Sequence, residues 1–265
     1  MPAPHRLPWP TEADVLPVEP LRPVLERLAS LALRHGDDVV LLPALVDDEG
    51  EADEAADPPP ALEQVLEEFG GIELRGRVRL DLLVDERTEL GPYTLLGDAT
   101  TYYPLYEGSD VAVVLTIAGD GTPGAVYGIG EDLSLTLAAR DLGAFLERWA
   151  DALTASLDEL DAEVERRADA SEADRAEAAE ELMEAHLLRT VLGTLPERVS
   201  VPVVPVAPGS VPEGLPAGTI AVADLRDAPL DATVDVMDAE LPGDPLDHHL
   251  AWAHGGQVVA VVEED

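Results

Sequence analysis

Hydrophobic residues recur along the chain with helical spacing in some stretches and strand spacing in others. Residues 21–35 place Val24, Leu25, Leu28, Leu31 and Ala32 on one helical face, and Gly36 ends that helix. A short apolar run follows over residues 39–46. Leu62, Val65, Leu66 and Phe69 then fall at i, i+3, i+4 and i+7, with Gly70-Gly71 as a helix stop. Val78, Leu80, Leu82 and Val84 alternate with Arg77, Arg79 and Asp81, the two-residue period of a strand with one wet face. Residues 111–118 are a continuous apolar strand and 125–129 another, while Leu133, Leu135 and Leu137 alternate with Ser134 and Thr136 as a third. The short gaps between these runs predict an antiparallel meander. Leu142, Phe145, Leu146, Trp149 and Leu153 mark an amphipathic helix able to lie on that sheet. A further helix carries Ala176, Ala179, Leu182, Met183, Leu187 and Val191, opened by Ser171 with Asp174 three residues on and closed by Gly193 and Pro196. Beyond residue 196 the chain is rich in Val and Pro. Pro202 and Pro205 argue against a central strand there, and 219–222 and 257–262 read as short strands.

These elements predict an α+β protein in which an antiparallel β-meander is packed by flanking helices, with a helical connector and a small β-rich C-terminal lobe. The expected segments are 1–57, an N-terminal helix with an acidic, Pro-rich linker; 58–155, the α+β domain; 156–196, the connector; and 197–265, the C-terminal lobe. The linker is the charge run Asp47-Asp48-Glu49-Gly50-Glu51 through Asp57-Pro58-Pro59-Pro60.

Composition changes this picture by removing chemistries. The chain has 265 residues and no cysteine, so disulfides, thiolate nucleophiles and Cys-ligated metals are absent. All 16 basic residues are Arg, which removes the Lys of a Schiff base, a pyridoxal phosphate anchor or a P-loop. The N-terminus lacks a basic-then-apolar secretory layout, and no apolar run approaches the roughly 18 residues of a membrane span, so the expected location is the cytoplasm. A formal net charge of −39 argues against nucleic acid and anionic membrane as partners and favours basic proteins. The charge is spread evenly over the four segments, which also fits a solubility or salt adaptation of the whole surface.

Candidate chemistry is sparse. Gly119-Asp120-Gly121-Thr122-Pro123-Gly124 matches G-x-G-x-x-G after a strand, but a second strand follows where a dinucleotide site requires a helix, so an Asp-Gly hairpin is expected. Asp247, His248, His249 and His254 lack the i, i+4 step that places two ligands on one helix face, and a turn with solvated histidines is expected in place of a metal site. No nucleophile elbow occurs, and among 55 acidic residues close carboxylate pairs arise by chance. Neither catalytic residues, metal nor cofactor are therefore expected. The segment 102–110 gathers three of the five tyrosines with acids, and two readings stand: Tyr102, Tyr103, Tyr106, Glu107 and Asp110 form a partner-binding loop, or the rings cap the edge of the sheet.

Residues 58–155 resemble the SUKH (Smi/Knr-like) superfamily in layout. The resemblance is carried by Leu66-Glu67-Glu68-Phe69-Gly70-Gly71-Ile72, Tyr103-Pro104-Leu105 before strand 111–117, Gly124-Ala125-Val126-Tyr127, and Leu137-Ala138-Ala139 leading to Leu142-Gly143-Ala144-Phe145-Leu146. It implies an α+β scaffold used as a binding surface without catalytic residues, as in bacterial immunity proteins that neutralise toxin domains. The implied partner is a protein, such as a basic toxin domain. A structural or regulatory interaction protein is the alternative, with a hydrolase third.

Overall fold

The computed structural model describes residues 14–44, 58–83, 96, 100–108, 111–166, 171–191, 199–207, 209–211, 213–243 and 248–263. The acidic run, Asp110 and Asp247 lie outside these residues. The chain is α+β, with three antiparallel sheets and four α-helices among the described residues.

Helix α1 (Arg22–Arg34) buries Val24, Leu25, Leu28 and Leu31, four of the five positions expected on its inner face. Strand β1 (Val39–Leu42) follows at once and pairs with β2 (Gly71–Leu74), which pairs with β3 (Val78–Asp81) in a small sheet of order β1-β2-β3. The apolar pattern over 61–69 yields only a one-turn helix, α2 (Glu63–Leu66), after a 3-10 turn at Pro60–Leu62. Beyond it Gly70 passes close to the residue that follows β1: a Cβ at Gly70 would sit 1.7 Å from the Pro43 carbonyl oxygen.

In the central sheet β5 (Val111–Ile117), β6 (Pro123–Gly130) and β7 (Leu135–Ala139) form the expected meander. Strand β4 (Tyr102–Glu107), from the tyrosine segment where no strand is expected, adds a fourth consecutive strand, and with β10 (Thr233–Val234) the order is β10-β7-β6-β5-β4. Leu133 falls outside β7, in the preceding turn, at φ 57°. The fifth strand, β10 (Thr233–Val234), comes from the C-terminal region and pairs with Thr136 and Leu135. All seven residues of β5 are buried. The reason is that both sheet faces are covered. Val111, Val113, Leu115 and Ile117 enter a core shared with the helices, whereas Ala112 and Val114 enter a second core shared with a four-stranded sheet. That sheet, of order β11-β12-β9-β8, is built from β8 (Val204–Pro205), β9 (Thr219–Asp224), β11 (His248–Ala253) and β12 (Val258–Glu263).

On the helical side, α3 (Leu142–Arg166) continues well past Leu153, because Leu157 and Leu160 extend its buried stripe. Helix α4 (Glu172–Val191) packs along it through Ala179, Met183, Leu187 and Val191. The capping box at its start is formed: the Ser171 amide donates to the Asp174 carboxylate at 2.9 Å, and the Asp174 amide donates to Ser171 Oγ at 3.2 Å.

This packing corrects the expected segmentation. The boundary between 155 and 156 falls inside α3, α1 belongs to the same core as the meander, and β10 joins the C-terminal region to the central sheet. Amphipathic faces far apart in the chain complete one another here, so the segments share two cores and do not each own one.

Candidate functional site

Tyr102, Tyr103 and Tyr106 do not lie in an exposed loop. They belong to β4, the edge strand of the central sheet, and are 1%, 3% and 5% exposed. Tyr102 enters the core facing the four-stranded sheet, and Tyr103, Leu105 and Tyr106 enter the helical core. A register shift between Pro104 and Tyr106 explains how neighbours Leu105 and Tyr106 reach the same side. The Tyr103 hydroxyl donates to the Leu82 carbonyl, and the Tyr106 ring meets Trp149 edge-on at 5.4 Å. The partner-binding loop is thereby corrected to a packing strand. Glu107 is exposed at the strand's end, and Asp110 is outside the described residues.

The Gly119–Gly124 segment is the expected hairpin turn between β5 and β6. Gly121 has φ +87°, its amide donates to the Ala118 carbonyl at 2.8 Å, and Ala118 donates to the Thr122 carbonyl at 2.9 Å. The Thr122 amide donates to Asp120 and holds that carboxyl below the usual carboxylate range.

The histidines are placed differently from expectation. His248 and His249 open β11, opposite Glu263 and Val262 of β12, and are half-buried; His254 alone lies in the turn, at φ 52°. His248 Nε2 sits 3.0 Å from the Pro242 carbonyl oxygen. The sequence hid this strand because Asp247-His248-His249 has turn composition, while its pairing is set by the long apolar strand β12. Among the described residues no group of three or more His, Asp or Glu side chains is arranged to hold a metal ion. No helix among them is long and apolar enough to cross a membrane.

Arginine placement is the feature that sequence patterning missed. Arg75, Arg77 and Arg79 crowd one hairpin of an otherwise acidic chain. Arg75, at φ 49° in the β2–β3 turn, has a side chain only 3% exposed. It pairs with Asp38 and, at 2.5 Å, with Glu172 at the start of α4. Arg77 faces Glu180 at 3.6 Å, Arg79 pairs with Asp81 at 2.7 Å, and Arg175 approaches Asp38 at 3.9 Å. Elsewhere Arg22 pairs with Glu68, Arg148 with Asp231 and Arg226 with Asp224. The bond from Arg226 holds Asp224 low, and Arg27 is held high by its bonds to Asp151 and Glu147. Arg75 is buried, while Arg22, Arg77, Arg79 and Arg226 form their pairs at the surface, and exposed carboxylates such as Asp158, Asp161, Glu177 and Glu181 line the outer faces of α3 and α4.

No family model matches this chain, and neither curated proteins nor solved structures give a significant match to it.

Proposed function

We propose that this protein is a non-catalytic binding module of immunity type that acts in the cytoplasm on a protein with a basic surface, such as a toxin domain. The observation that supports the reading is the placement of charge: arginines such as Arg22, Arg75, Arg77 and Arg148 are paired with carboxylates of the same chain, while the outward faces of α3 and α4 carry exposed acids. A surface of that kind steers basic partners and repels nucleic acid. The SUKH-like layout of residues 58–155 points the same way.

Affinity capture with the tagged full chain from native lysate, followed by mass spectrometry, tests this. One stoichiometric basic protein, released as salt rises, is the expected result, and co-expression of the chain should protect cells from that partner. Recovery of no partner, or of an acidic one whose capture is indifferent to salt, would overturn the charge argument. Capture without protection would remove the immunity role and leave a binding protein.

A further inference from the structure

Helix α4 is attached in two different ways along its length. Its C-terminal half is packed. Ala179, Met183, Leu187 and Val191 recur every fourth residue and are all buried, and the last turn presses on the central sheet so closely that a Cβ at Gly128 would lie 2.4 Å from the Val191 carbonyl oxygen. The first two turns are different, because residues 172–178 are all exposed or half-buried.

What reaches across from this half is charge. Glu172 meets Arg75 and Arg175 approaches Asp38, and Glu180, next to the first buried residue, meets Arg77. The Glu172 side chain is 82% exposed and Arg77 is 52% exposed, so those contacts are weak and open to screening. The buried end of the network is itself incompletely satisfied, since Arg75 Nε and Arg175 Nε have no hydrogen-bond partner among the described residues.

We propose that residues 172–178 form a charge-latched strap, which opens from the N-terminal end of α4 while the helix from Ala179 onward stays docked, and that ionic strength controls it. Arg75 is the fixed side of the latch and Glu172 the moving side, and the Arg77–Glu180 pair lies at the hinge. The inference does not depend on the proposed function. It carries a sign that the rest of the molecule does not share. With a net charge of −39, screening relieves repulsion and stabilises the fold as a whole, yet the same screening weakens the attraction that holds the strap.

Hydrogen exchange of the full chain, followed by mass spectrometry at about 50 mM and about 1 M sodium chloride, separates the two. Amides of residues 172–182 should exchange about tenfold faster at high salt while those of β5 and α3 slow down. The double variant Glu172→Gln, Glu180→Gln should show the fast exchange already at low salt and lose the salt dependence. Glu177→Gln, Glu181→Gln removes the same charge at exposed positions outside these pairs and should keep the strap closed at low salt. Slowing of the strap amides in step with β5 as salt rises would overturn the proposal, as would identical exchange in the two double variants.

Discussion

Tyr127 shows how much one side chain can be asked to do in this fold. Its ring stacks on Trp252 with centroids 5.7 Å apart, and its hydroxyl donates to the Gly256 carbonyl at 2.7 Å across the second core. Burial pushes the phenol well above its ordinary value. The folded-state value lies above the unfolded one, so the tyrosine's contribution is fully present below about pH 10 and is lost as pH rises beyond it. Tyr127→Phe should cost about 1–3 kcal/mol at neutral pH, since the Gly256 carbonyl loses its donor in a dry site. It should also flatten part of the alkaline loss of stability, which urea unfolding from pH 7 to pH 11 would reveal. A phenylalanine variant as stable as the parent would mean that the carbonyl finds water. The tyrosines of β4 carry a related lesson. Their clustering was visible in the sequence, but the register shift beside Pro104, which turns Leu105 and Tyr106 to one side, depends on pairing with β5 and has no local signature.

Among the elements, those with long and regular periodicity were legible: α1, β5, β6, α3 and α4 lie where their apolar spacing puts them, and the α4 capping box forms as spaced. Elements held by partners were not. Strand β11 begins with turn-forming residues and owes its shape to β12, and α2 is one turn long although its apolar spacing runs on to Phe69. The contact between α4 and β6 is of the same kind. Gly128 reads as an ordinary small residue, yet it is the only type that admits the end of α4 at the observed distance. Gly128→Ala should therefore destabilise the protein by about 1–3 kcal/mol, the cost of overpacking a filled core, measured as a shift in the urea midpoint. An unchanged midpoint would show that α4 can retreat without loss.

Across the whole molecule, the central sheet is the shared resource, with helices on one face and the four-stranded sheet on the other. Both sides of this sandwich are tied. Segment 199–206 runs from the edge of the central sheet, where Val201 donates to the Thr233 carbonyl at 2.8 Å, to the four-stranded sheet, where Val206 donates to Ile220 at 2.7 Å. On the other side the Leu250 amide donates to Thr100 Oγ1 and Trp252 Nε1 to the Thr101 carbonyl, each at 2.7 Å. Arg148 links α3 to Ala138 and Asp231, and Arg140 reaches the Ala228 carbonyl at 2.6 Å. A fragment of residues 58–155 loses α1, β1, α4, half of α3 and the sheet covering one face of β5. It should show no cooperative thermal transition by circular dichroism, whereas the full chain should show one. A cooperative transition in the fragment would restore the meander and its first helix turns as an independent unit.

By itself the sequence determined the α+β class, the meander and the helices with strong periodicity, because apolar spacing of two or of 3.6 residues is a local property. It also determined the acidity and the exclusion of thiol and lysine chemistry, which follow from residue counts alone. Only the tertiary structure decided that the tyrosines pack inside, that the segments share two cores, and that the crowded arginines of one hairpin face the charged half of α4. Those outcomes depend on which surfaces meet, and residues as distant as Arg75 and Glu172 acquire their relation only when the chain has closed around its core.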